Sequence, residues 1–143
     1  MENKKIKNTK SKVFNGIQFK SILEVSIYKG LLQEGFKPKY EEMTFIIWEG
    51  FRPTVDFYNK DTKSKELKKD MGKLRDITYT PDFTFTYKNT LIIIEAKGFE
   101  NDTFPIKKKL FRKLLEGYDF PTLYFEVYTK RHLTHAISII KSL

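Results

Sequence analysis

Two patterns of apolar positions dominate the middle of the chain. From Ile77 to Tyr87 the side chains alternate: Ile77, Tyr79, Phe83, Phe85 and Tyr87 fall on one parity, and Thr78, Thr80, Asp82, Thr84 and Thr86 on the other. That is the period of a strand with one buried face, and it puts Asp82 on the polar side. Lys88-Asn89-Thr90 suits a short hairpin turn. The run Ile92-Ile93-Ile94 is then continuous, as in a strand buried on both faces. It ends in Glu95-Ala96-Lys97-Gly98, and Glu95 and Lys97, two positions apart, point to the same side. Paired antiparallel, the two strands bring Asp82 next to Glu95 and Lys97. Two carboxylates and a lysine can hold a hard divalent cation and act on a phosphate.

Helical periods flank this centre. Ser21 to Glu34 predicts a helix with Ile22, Leu23, Ile27, Leu31 and Leu32 on its apolar face and Gly35 as its stop. Ser21 suits the N-cap, which makes Glu24 the third helical residue of a capping box; a metal-linked role for Glu24 stands beside that structural one. Pro105 to Glu116 predicts a second helix, with Ile106, Leu110, Phe111 and Leu114 inward, and the last helix carries Leu133, Ala136, Ile137, Ile140 and Leu143 on one stripe. Val13 to Phe19 reads as a short strand or turn. Lys39 to Glu49, Thr54 to Tyr58 and Thr122 to Thr129 read as strands, with Glu41 and Glu42 as exposed strand-end charges. Thr62 to Lys73, with five lysines around Leu67 and Met71, reads as a solvated loop or marginal helix; a DNA-contacting flap is its functional alternative. Alternating elements predict an α/β domain.

Composition adds a partner class. The chain has 143 residues, enough for one domain with a real core. Its 27 Lys and Arg against 18 Asp and Glu give a net charge of 27 − 18 = +9, which favours an anionic partner, nucleic acid first. Residues 1–18, with Lys10 and Lys12 among their lysines, read as a basic N-terminal arm, and residues 19–143 as the folded domain. The absence of cysteine excludes disulfides, thiolate metal sites and cysteine nucleophiles, and fits a reducing cytoplasm. No apolar run has membrane-spanning length, and no apolar signal core begins the chain. His132 and His135 have no acidic partner nearby in sequence, so a surface or capping role fits them better than zinc. Glu100 and Asp102 read as loop solvation. Lys107, Lys108, Lys109, Arg112 and Lys113 cover the polar side of the second helix, where phosphate binding competes with ordinary solvation.

Pro81-Asp82 followed by Glu95-Ala96-Lys97 resembles the PD-(D/E)xK nuclease signature. Tyr79-Thr80-Pro81-Asp82-Phe83, Glu95-Ala96-Lys97-Gly98 and Ser21-Ile22-Leu23-Glu24 are similar, in the same order, to words of the phage endonuclease I-type Holliday-junction resolvases. Lys107 to Phe111 resembles a Lys-Lys-Lys-Leu-Phe element of related small phage nucleases. The resemblance spans Phe19 to Arg112. It implies a restriction-endonuclease-like core, a central mixed β-sheet flanked by helices. It further implies Mg²⁺, with Mn²⁺ able to substitute, held by Asp82, Glu95 and the Ala96 carbonyl. By the same resemblance Lys97 would orient the attacking water, and Glu24 would bind a second metal or a metal-bound water. Branched DNA as substrate, a homodimer and the cytoplasm of a bacterium or phage-infected host complete the implication. The chain departs from the resolvases at Gly50 to Asp76, where theirs is shorter, and at Lys39, where theirs has an acidic residue before the tyrosine. Another restriction-type nuclease, or a non-catalytic DNA-binding protein on the same fold, is the alternative.

Overall fold

The computed structural model describes residues 12–98 and 103–143. Three helices lie among them: α1 (Ile22–Gln33), α2 (Phe104–Leu115) and α3 (Lys130–Lys141). The strands are β1 (Lys12–Phe14), β2 (Ile17–Phe19), β3 (Lys39–Tyr40), β4 (Phe45–Trp48), β5 (Tyr58–Lys60), β6 (Leu67–Lys69), β7 (Ile77–Tyr79), β8 (Phe83–Tyr87), β9 (Thr90–Ala96) and β10 (Thr122–Val127). The architecture is mixed α/β, with mostly antiparallel pairings.

The central sheet has the order β10-β9-β8-β3. Strands β8 and β9 form the expected antiparallel hairpin, with Phe83 opposite Ile94 and Tyr87 opposite Thr90. The turn is Lys88-Asn89, both residues left-handed at φ 44° and 64°, the geometry that a tight two-residue hairpin requires. Strand β10 runs parallel to β9, with Glu126 opposite Glu95. Ile92, Ile93 and Ile94 are fully buried, because both faces of β9 are covered. Ile92 and Ile94 join Phe83 and Phe85 in a core closed by Ile27, Tyr28 and Leu31 of α1 and Leu133 and Ile140 of α3. Leu91 and Ile93 face the opposite way, onto Phe104 and Phe111 of α2 with Phe45, Ile47 and Tyr79.

Several sequence expectations need correction. The alternating run 77–87 is two strands: β7 leaves the sheet and pairs with β4. Pro81, which lacks an N–H and cannot donate to a ladder, separates them. Thr84, on the polar parity, is buried. The strand expected over Lys39 to Glu49 breaks after Tyr40, where Glu41 adopts φ 48°. Residues 54–57 form no strand. Instead β5 pairs with β6, so the stretch read as loop or helix contains half of an exposed hairpin. Its turn is held by Asp61, which accepts the Lys63 N–H and the Ser64 hydroxyl, a local device of turns. Residues 12–18, assigned to the basic arm, contain a hairpin whose turn Asn15-Gly16 has φ 55° and 77°; Phe14 and Ile17 pack against the core. On the helices Ile22, Leu32 and Ile106 are exposed, as is Leu143 beyond the end of α3. The buried residues include Val25 and Tyr28 in α1, and in α2 Phe104 beside the expected Phe111. No helix among the described residues is long and apolar enough to cross a membrane.

Candidate active site

The site forms where β7, β8 and β9 converge. Asp82 precedes β8, and the β8–β9 register sets it beside the end of β9. Its Oδ2 accepts the Ala96 backbone N–H at 2.7 Å, while its own N–H donates to Glu95 Oε2 at 3.3 Å. Glu95 Oε2 also accepts the Tyr79 hydroxyl at 2.7 Å, and that hydroxyl lies 3.0 Å from the Tyr124 hydroxyl. On the other side, Glu95 Oε1 is 3.7 Å from Lys97 Nζ. Glu95 and Lys97 thus share a side, as their spacing predicts. Lys97 is buried, and its Nζ stands 2.9 Å from the centroid of the Phe104 ring. The structure therefore brings Asp82, Glu95 and Lys97 together.

Glu24 reaches the same region from α1. Ser21 Oγ accepts the Glu24 N–H at 3.1 Å, capping the helix, and donates to Glu24 Oε1 at 3.1 Å. The Tyr40 hydroxyl donates to Glu24 Oε2 at 2.5 Å. The capping residue thus orients the carboxylate, and the cap leaves it grouped with Glu41 and Asp82.

Glu41 is the member that sequence reasoning missed; it was read as an exposed strand-end charge. The pairing of β3 with β8 sets Tyr40 opposite Phe83, and the Glu41 N–H donates to the Asp82 carbonyl at 2.8 Å. Left-handed backbone is uncommon for a glutamate and gathers at functional sites; here it ends β3 at the point where Glu41 meets Asp82. Lys20 Nζ lies 2.8 Å from Glu41 Oε1, and this hydrogen bond raises the lysine's pKa. Glu24, Glu41 and Asp82 each offer one carboxylate oxygen, all within 4.8 Å of one another. The word Tyr40-Glu41-Glu42 was visible in the sequence, but its pairing partner was not.

Burial makes these charges costly. Desolvation, followed by the neighbouring Glu95 charge, pushes the Asp82 carboxyl up to about 8. Desolvation also raises Glu95, against the Tyr79 hydrogen bond and Lys97, which lower it. Burial raises Tyr79, and burial with the Glu24 hydrogen bond raises Tyr40, so both phenols remain donors. The grouped carboxylate oxygens of Glu24, Glu41 and Asp82 could hold a divalent cation, which would offset their mutual repulsion. The donors are oxygen only, a set that suits hard cations.

The expected DNA-binding residues divide. Lys109, Arg112 and Lys113 are exposed on α2, and Lys107 and Lys108 are half-buried. Lys108 Nζ is engaged with Glu126 Oε1 at 2.7 Å. Lys12 is exposed in β1, and Lys10, Glu100 and Asp102 lie outside the described residues. His132 Nδ1 accepts the Tyr128 N–H at 3.1 Å beside the Thr129 cap of α3, a local structural role. Comparison of the chain with family models, characterised proteins and solved structures returned no match.

Proposed function

We propose that this protein is a metal-dependent endonuclease that hydrolyses DNA phosphodiesters on a restriction-endonuclease-like core, with branched DNA such as a four-way junction as its substrate. The observation that carries the reading is the convergence of the Glu24, Glu41 and Asp82 carboxylates beside Glu95 and the buried Lys97. A DNA-binding protein without chemistry gains nothing from buried acids facing a polyanion, since they repel phosphates. The net charge of +9 supplies the long-range attraction that the acids oppose.

Asp82, Glu95 and the Ala96 carbonyl hold the cation, with Glu24 and Glu41 binding a second one or its waters. Mg²⁺ or Mn²⁺, when bound, polarises the scissile phosphate and makes water a better nucleophile. Lys97 orients the attacking water and stabilises negative charge developing on the phosphate. Its ammonium is held between Glu95 Oε1 and the Phe104 ring. The Tyr79 and Tyr40 hydroxyls fix the rotamers of Glu95 and Glu24, as outer partners of metal ligands do. Two cuts per junction call for a homodimer, in the cytoplasm of a bacterium or phage-infected host. The test is incubation with four-way, flap, linear and single-stranded DNA, in Mg²⁺ and in chelator. Metal-dependent cleavage, strongest on branched DNA, is expected; no cleavage of any substrate in Mg²⁺ or Mn²⁺ rejects the reading.

A further inference from the structure

A groove of about 620 Å³ lies between α2 and β10, and β10 is an edge strand of the central sheet. Thr122, Tyr124 and Glu126, alternate residues of β10, line its sheet side; Lys108 and Arg112, one helical turn apart, line its helix side. At one end stand Tyr118 and Phe120, their rings 5.1 Å apart and inclined by 31°. Phe120 is 50% exposed, an uncovered aromatic face in a concave site. The volume falls within the range of pockets that take small organic ligands.

The groove adjoins the acidic site. The Phe104 ring has Lys97 Nζ at 2.9 Å from its centroid and Lys108 Nζ at 5.6 Å. The Tyr124 hydroxyl meets Tyr79, which binds Glu95. Glu126 lies opposite Glu95 in the sheet. The charges lining the groove are Lys108 and Arg112 with Glu116 and Glu126, and Lys108 is paired to Glu126; the Tyr118 and Phe120 rings lie at its end.

We propose that this groove takes one or two unpaired nucleotides of the strand beside the cleaved phosphate, so that the preferred substrates carry a single-stranded segment at the branch. The word "cleaved" rests on the nuclease reading; the binding does not. A base can stack on Phe120 only when it is unstacked from its duplex, and an aromatic platform with a cation such as Arg112 for the phosphate is one way proteins hold single strands. Arg112 meets the phosphate and the Thr122 hydroxyl offers an acceptor to a base amino group, while the Glu126 carboxylate is held by Lys108 and the Tyr128 hydroxyl. Duplex DNA presents its phosphates but hides its base faces, so it engages the cations and not the rings.

The test uses Asp82→Ala protein in chelator, where binding is read without cleavage. Two probes of equal length are compared, a blunt duplex and a splayed duplex with 2-aminopurine at the first unpaired position. Splayed DNA should bind more tightly than blunt DNA and lose 2-aminopurine emission on binding. Adding Phe120→Ala should cut the splayed-to-blunt affinity ratio about tenfold, as expected for loss of one base–aromatic stack, and abolish the quenching. Phe120→Trp should restore both. Equal affinity for the two probes, or quenching unchanged by Phe120→Ala in a protein with an unaltered melting curve, overturns the proposal. So does an effect of Phe120→Ala confined to self-association in sedimentation, which makes the groove an interface between copies. Quenching by a wild-type protein that cleaves nothing rejects the nuclease reading and keeps the groove; cleavage without any Phe120 effect does the reverse.

Discussion

The Asp82 carboxylate accepts the backbone N–H of Ala96 at 2.7 Å, so an acidic side chain ahead of β8 is fastened to the last residue of β9. This bond uses one carboxylate oxygen and needs only an acceptor, whereas a cation needs the charge. Asp82→Asn keeps an acceptor and removes the charge; Asp82→Ala removes both. Both variants should lose cleavage, and in metal-free binding above about pH 8, where Asp82 is ionised, both should bind DNA as well as or better than wild type, because a negative charge facing phosphates is gone. Asn should melt above Ala. Equal melting temperatures would show that the Ala96 bond contributes nothing to stability.

The pH dependence of the metal-free protein follows from the same burial. Asp82 rises from an ordinary value near 3.8 to about 8, and Glu95 shifts in the same direction. These two groups then hold more protons in the folded chain than in the unfolded one between those limits, so their contribution to stability is greatest below about pH 4 and falls as pH rises toward about 8. Thermal melting in chelator should show that fall over pH 5 to 8, and Asp82→Asn should flatten it. Mg²⁺ should restore stability at pH 8 and release protons on binding. A melting temperature that climbs through this range without metal contradicts the assignment.

Glu41 and Glu42 are adjacent, but only Glu41 reaches the acidic cluster, while Glu42 is exposed. Glu41→Gln should lower cleavage by at least roughly tenfold, the scale of losses around metal ligands, and Glu42→Gln should leave it within twofold. Initial rates on a four-way junction decide, and equal rates for the pair would remove Glu41 from the site.

Lys97→Met keeps an apolar stem against Phe104 and removes the ammonium. Turnover should fall by roughly 10²–10³, as for loss of an electrostatic group at developing charge, while DNA affinity changes little, since one phosphate contact among many contributes little to binding. Equal losses in both quantities would make Lys97 a binding residue only.

Lys109 and Lys113 are exposed one turn apart on α2, away from the Lys108–Glu126 pair. If both contact duplex phosphates, replacing them with Ala should flatten the slope of log affinity against log salt by up to roughly 2, at about 0.9 per contact. The loss should not depend on DNA sequence, because phosphate contacts position a duplex without reading bases. An unchanged slope would assign this face to solvent.

Local chemistry was legible in the sequence; long-range pairing was not. The β8–β9 hairpin, the burial of Ile92 to Ile94 and the grouping of Asp82, Glu95 and Lys97 follow from alternation, turn residues and two-residue spacing, all of which act over a few positions. Glu41 was hidden because its role depends on β3 pairing with β8 across more than forty residues, and the two-residue strand involved has no periodicity to read. The exposure of Ile106 has a different cause: periodicity admits several neighbouring stripes on a short helix, and the one taken runs through the large aromatic rings of Phe104 and Phe111. The Asn15-Gly16 hairpin, by contrast, carries a strong short-range turn signal, legible in Val13 to Phe19 as a short strand or turn, while the lysines around it drew residues 12–18 into the basic arm.

The central claim is metal-dependent hydrolysis at the Asp82 site, and end-labelled four-way junction DNA tests it most directly. Wild type and Asp82→Ala should be compared in Mg²⁺ and in chelator, with fragments resolved at nucleotide resolution. Cuts near the branch by wild type in Mg²⁺ alone, with none by Asp82→Ala in either condition, are the predicted result. Cleavage that survives chelator, or that Asp82→Ala performs at the wild-type rate, contradicts it.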